Sequence, residues 1–153
     1  MADALMGDVG AAAQAGDWRR CADAYLDAYY ASTKTWEYRQ NVWSGYTSVL
    51  REGNTPVLDS DFDTLSGVAN DEGAHIYDRV QAHFTLGHTR NSAREYKASR
   101  SAYTAAITLA VSADDVHLND VVTMATNEGY KPRRVRGLID DLTTFALDNR
   151  RSL

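Results

Sequence analysis

Apolar side chains recur along most of this chain at intervals of three and four residues, the spacing that gathers them on one face of an α-helix. The clearest case lies between residues 36 and 52. Trp36, Val42, Trp43, Tyr46, Val49 and Leu50 form one stripe, and Glu37, Gln40, Asn41, Ser44, Thr47 and Arg51 form the opposite one, which predicts an amphipathic helix. Strict apolar–polar alternation is almost absent, so strands are not expected. The pattern predicts eight helices. The first two run from Ala4 to Ala15 and from Asp17 to Ala31, split at Gly16. A third follows Ser32-Thr33, whose hydroxyls suit a helix N-terminus, and ends at Glu52. The run Gly53-Asn54-Thr55-Pro56-Val57-Leu58-Asp59-Ser60 is turn-rich and breaks any helix. A short fourth helix starts near Asp61 and stops at Gly73, with Phe62, Leu65, Val68 and Ala69 on one side. The fifth, Ala74 to Thr89, is expected to bury Ile76, Val80, His83 or Phe84, and Gly87. Ser92 to Val111 form the sixth and a seventh runs to Asn127. Pro132 then opens an eighth whose Val135, Leu138, Ile139, Leu142 and Phe145 share a face.

One thirteen-residue pattern occurs twice. Residues 16–28, GDWRRCADAYLDA, align without a gap on residues 94–106, REYKASRSAYTAA. An acid (Asp17, Glu95), an aromatic (Trp18, Tyr96), a small residue (Cys21, Ser99), a tyrosine (Tyr25, Tyr103) and an alanine (Ala28, Ala106) recur in register. Small residues on one helix face let a second helix approach closely, and the rings fill the space beside it. Repetition of such a unit points to a helical repeat array, an architecture whose usual work is to hold other molecules.

The pattern resembles the second helix of the tetratricopeptide repeat. In the later copy the preceding helix fits as well, with Leu86-Gly87 where that family has its Leu-Gly pair. His83 stands at the family's first-helix Trp position, Arg90 at its Tyr and Val111 at its closing Pro, while Val9 occupies the usual Gly of the earlier copy. The copies lie 78 residues apart, and two units of about 34 residues leave about ten, which the Pro56 loop can absorb. The resemblance implies an all-α, right-handed array of antiparallel helix pairs. Its units fall at about 2–35, 36–79 and 80–113, with capping helices over 114–151, all in a single domain. It also implies a concave groove lined by Glu37, Gln40, Ser44 and Thr47 from the third helix and Gln81, Phe84, His88 and Asn91 from the fifth. For the third helix these are the polar stripe already identified. The groove suits hydrogen bonding to an extended peptide or a partner helix. The family's Lys-and-Asn clamp for C-terminal carboxylates has no counterpart in this register.

Composition narrows the setting. The 153 residues are 44% hydrophobic and 24% charged, ordinary values for a soluble globular protein. A single cysteine leaves no internal disulfide framework and suits a reducing compartment. Asp3 and Asp8 stand where a secretory signal would be basic. No apolar run approaches the roughly 20 residues needed to cross a bilayer, so a cytoplasmic or nuclear protein is expected. Charge is uneven: residues 1–78 carry a net of −8 and residues 79–153 a net of +3. That asymmetry either orients partners and favours self-association or reflects ordinary variation among solvated helix faces.

No constellation of nucleophile, base and oxyanion donor can be assembled, so no enzyme, cofactor or metal is expected. His83 and His88 are five residues apart and fall on different helix faces, a poor arrangement for a shared metal. The alternating acids Asp59, Asp61 and Asp63 open like a calcium loop but meet Thr64 and Asn70 where Gly and Glu are required, so they are read as charging a helix start. Lys131, Arg133, Arg134 and Arg136 crowd a helix start against its dipole. They are either solvated surface or a contact for an anion such as RNA, although Tyr130 is the only stacking partner beside them. Cys21 is expected to be packed and inert. Tyr29 and Tyr30 are adjacent, so one of the two should face outward.

Overall fold

A computed structural model describes residues 9–31, 35–53 and 55–113, and every regular element among them is an α-helix. The first, α1, covers residues 9–14. It is followed by α2 (Trp18–Ala31), α3 (Trp36–Glu52), α4 (Asp59–Ala69), α5 (Ile76–Ser92) and α6 (Tyr96–Ala113). The predicted seventh and eighth helices, the capping segment 114–151 and the basic residues Lys131, Arg133, Arg134 and Arg136 lie outside the described residues. The chain packs as two compact units, Met1–Asp63 and Thr64–Leu153, divided within α4.

In the first unit α2 packs against α3. Tyr29 stacks at 4.9 Å on Trp43, which stands 5.4 Å from Tyr46. Tyr25, one turn earlier on α2, meets Gly45, so residue numbers rise on one helix as they fall on the other and the pair is antiparallel. Val42, Trp43, Tyr46, Val49 and Leu50 are all buried, as the α3 stripe predicts. The Arg39 guanidinium lies 4.5 Å over the Tyr29 ring, a cation–π contact. Tyr29 is buried at 5% exposure and Tyr30 exposed at 63%, which resolves the adjacent pair. Cys21 is buried, and that burial, with Glu52 adding to it, raises its thiol pKa and suppresses the reactive thiolate.

In the second unit α5 and α6 form the closest helix pair. Phe84 meets Tyr103 edge-on at 5.5 Å, and one turn along α5 the Gly87 carbonyl accepts a 2.7 Å hydrogen bond from the buried Ser99 hydroxyl. This pair is antiparallel too.

The sequence repeat is also a repeat of construction. Gly16 and Arg94, equivalent in the alignment, both have left-handed backbone, at φ 73° and 63°. The Gly16 N–H bonds Ala13 O and the Asp17 N–H bonds Ala12 O. In the later copy the Arg94 N–H bonds Asn91 O and the Glu95 N–H bonds Arg90 O. Each is a Schellman motif, closing one helix and opening the next. Sequence patterning alone begins the sixth helix at Ser92, whereas α5 runs through Ser92 and α6 starts at Tyr96. The displacement has a physical cause: the later turn lacks the glycine that marks the earlier one. A side chain in this conformation costs roughly 1–2 kcal/mol, partly offset by the greater unfolded-state freedom of glycine. Arg94→Gly is therefore expected to raise the unfolding free energy by about 0.5–1 kcal/mol in urea titrations followed by circular dichroism. A decrease would show that the Arg94 side chain itself holds the turn.

Candidate partner-binding surface

The eight predicted groove residues separate into accessible and buried sets. On α3, Glu37 is exposed, Gln40 and Ser44 are half-buried, and Thr47 is buried. The Thr47 hydroxyl donates back to the carbonyls of Trp43 and Ser44, both at 3.1 Å. On α5, His88 and Asn91 are half-buried, whereas Gln81 and Phe84 are 2% and 1% exposed. Thr47, Gln81 and Phe84 are thus corrected from partner-facing to interior positions. Helical periodicity gives the angle of a side chain around its own axis but not how many sides of the helix its neighbours cover. On α5 the covered arc is wide, taking in Gln81 and Thr85 as well as Val80 and Phe84. Of the alternatives His83 and Phe84, it is Phe84 that enters the core.

Among the described residues, each unit has a cleft along its helix pair. In the first unit a cleft of about 440 Å³ is lined by Val9 and Ala13 of α1, Trp18, Cys21 and Tyr25 of α2, and Ser44, Gly45, Ser48, Val49 and Glu52 of α3. Its walls are mainly apolar.

The cleft of the second unit has a different chemistry. It encloses about 640 Å³ between Arg79 and His83 on α5 and a stripe along α6 comprising Arg100, Ser101, Thr104, Ala105, Thr108 and Leu109, with Asn70 beyond the end of α4. Among the described residues its lining contains no carboxylate. Arg79 Nε donates to the Ala69 carbonyl at 3.1 Å, and His83 bonds the same carbonyl, so the last turn of α4 has its open acceptor satisfied by two α5 side chains. Burial, with the charge of Arg79 acting in the same direction, lowers the His83 pKa and keeps the imidazole neutral at pH 7. The Thr104 and Thr108 hydroxyls each donate at 2.8 Å to the backbone carbonyl four residues earlier on α6. That α6 face is therefore low in relief. The stripe through Arg100, Thr104 and Thr108 has helical spacing and was legible in the sequence. Its position opposite Arg79 and His83 was not, because it depends on how α5 and α6 pack.

A third cluster is interior to the first unit. Asp61 is 2% exposed yet ionised, and its carboxylate accepts four hydrogen bonds. Arg19 supplies two, at 2.7 and 3.1 Å, Tyr46 Oη one at 2.6 Å and the Leu58 N–H one at 2.8 Å. The last is the side-chain-to-backbone half of a capping box, with Leu58 preceding the helix and Asp61 as its third residue. So the acid run does serve the start of α4, through Asp61. Burial by itself would raise the Asp61 pKa, but the hydrogen bonds from Arg19, Tyr46 and Leu58 outweigh it and hold the pKa below the ordinary value. The complementary effects raise Arg19, chiefly through its bond to Asp61, and Tyr46, chiefly through burial. With every acceptor engaged internally, this cluster has the character of a structural lock.

Among the described residues no three His, Cys, Asp or Glu side chains converge as metal ligands would, and no helix is long and apolar enough to cross a membrane. Comparison with protein families, with curated proteins and with solved structures finds no match to the chain.

Proposed function

We propose that this chain is a non-enzymatic interaction module, a TPR-like right-handed array of antiparallel helix pairs in the cytoplasm or nucleus that holds a segment of a partner protein. The supporting observation is the doubled construction. Two thirteen-residue copies share a left-handed turn at Gly16 and Arg94, a buried small residue at Cys21 and Ser99, and a tyrosine ring laid over a glycine of a neighbouring helix, the following one for Tyr25 and the preceding one for Tyr103. Units that repeat a core in this way leave their outer faces free to vary, and that freedom is what a binding scaffold requires. Of the predicted positions, Glu37, Gln40 and Ser44 on α3 of the first unit are polar and at least partly accessible, as are His88 and Asn91 on α5 of the second, and each set is suited to hydrogen bonds with a peptide backbone.

The reading is tested by affinity capture with the intact chain, followed by titration of each purified captured protein against the purified chain. A saturable one-to-one complex that weakens in a Glu37→Ala, Gln40→Ala, Asn91→Ala variant of unchanged helicity is expected. If no purified protein forms such a complex, the interaction-module reading fails.

A further inference from the structure

The cleft between α5 and α6 has a charge character unlike the chain around it. The protein carries a net charge of −5, yet the ionisable groups in this lining, among the described residues, are Arg79, Arg100 and a neutral His83. Arg19 is paired with Asp23 and Asp61 and Arg90 with Glu95, while Arg39 lies over the Tyr29 ring and Arg51 donates to the Ser48 hydroxyl. Among the described residues neither Arg79 nor Arg100 forms an ion pair. Arg79 engages a backbone carbonyl through Nε alone, and Arg100 is exposed. Two guanidinium groups at one cleft, with no acidic partner among the described residues, favour carboxylates there.

Shape restricts the ligand further. The α6 wall steps through Ser101, Thr104, Ala105 and Thr108, all small, and their span of seven residues rises about 10 Å, or two helical turns. The threonine hydroxyls donate their protons to their own helix backbone, so the wall demands no acceptor from a ligand. A low-relief helical wall of this length accepts a second helix at the close interaxial distance of about 8–10 Å. Among the described residues no aromatic ring lines the cleft, so they provide no stacking platform of the kind used for single-stranded nucleic acid.

We propose that the α5–α6 cleft docks an acidic helix of a partner protein, with carboxylates along one face of that helix meeting Arg79 and Arg100. This inference rests on the interaction-module reading and assigns that module a site and a ligand class.

The test uses the full chain and a labelled alanine-based helical peptide bearing Glu pairs four residues apart, with a Gln-for-Glu peptide as control, read by fluorescence anisotropy at physiological salt. The Glu peptide is expected to bind at least about tenfold more tightly than the Gln peptide, and Arg100→Glu to weaken it by about tenfold or more. Arg94→Glu, outside the cleft, should leave the affinity unchanged. Arg79→Gln is the second variant, its circular dichroism and melting compared with wild type because Arg79 also caps α4. Equal binding of the two peptides, or equal affinity of wild type and Arg100→Glu, would overturn the assignment. Preferential binding of a single-stranded RNA oligomer, lost in Arg100→Glu, would overturn it in favour of nucleic acid. If a captured partner still binds Arg100→Glu one-to-one at full affinity, the cleft assignment falls while the interaction module stands. If no protein binds the wild-type chain, both fall.

Discussion

Asp61→Ala is expected to lower the unfolding free energy by about 3 kcal/mol, a large share of the roughly 5–15 kcal/mol available to a domain. The substitution removes four hydrogen bonds together and leaves Arg19, the buried Tyr46 hydroxyl and the Leu58 N–H facing the space of a missing carboxylate. Removing one member of a buried ion pair typically costs about 3–5 kcal/mol. The low end applies because the Arg19 side chain keeps 26% of its surface exposed and can recover some hydration. Tyr46→Phe deletes one neutral donor and is expected to cost about 1–1.5 kcal/mol. The double variant should cost less than the sum of the two, since both remove the same bond. Urea unfolding of the four proteins measures the cycle, and strict additivity would show that the two groups do not share one network.

The same carboxylate gives stability a pH dependence. Because folding lowers the Asp61 pKa, its stabilising contribution is complete above the unfolded carboxyl value of about 4 and is lost as pH falls through the lower folded value. Asp61→Asn should therefore destabilise the chain by about 2 kcal/mol at neutral pH. The gap to wild type should narrow on acidification below about pH 4 and close once the wild-type group is protonated.

The second large effect is expected at the glycines beneath the repeat tyrosines. A Cβ at Gly87 would stand 2.7 Å from Cδ1 and Cε1 of Tyr103 and 2.9 Å from its Cγ, inside the range real side chains tolerate. A Cβ at Gly45 would likewise collide with the Tyr25 ring. The two sites should respond differently. Tyr103 is 1% exposed and wedged against Phe84, and the collision involves the root of its ring. Tyr25 is half-buried, borders an open cleft and is struck at Cε1, Cζ and Cδ1. Overpacking costs about 1–3 kcal/mol, while alanine in place of glycine within a helix returns up to about 1 kcal/mol. Gly87→Ala is thus expected to lose about 2 kcal/mol and Gly45→Ala less than about 1 kcal/mol. Thermal melts of the two variants check the ranking. A Gly45→Ala loss as large as that of Gly87→Ala would mean the Tyr25 ring is as tightly held as Tyr103.

Much of the architecture was legible before any coordinates. The α3 stripe, the split at Gly16, the break through Pro56 and the doubled pattern follow from contacts between residues three and four apart, or from the backbone preferences of glycine and proline. The repeat alignment even carried the later turn, since it sets Arg94 opposite Gly16. Local patterning missed that turn because an arginine gives no sign of left-handed backbone.

Other features depend on residues far apart in sequence. Arg19 and Asp61 are 42 residues apart, and nothing in either neighbourhood announces the pair. Thr47, Gln81 and Phe84 occupy the helical angles their spacing implies, yet they are interior because the helices are covered over wider arcs than a single stripe. The α5–α6 cleft joins two separately unremarkable sets, Arg79 with His83 and Arg100 with Thr104 and Thr108, only after the helices have packed. Helix formation and turn placement are governed by short-range geometry, which is written along the chain. Burial, charge pairing and cleft formation are governed by which surfaces meet in space, and the relative placement of the packed helices decides those.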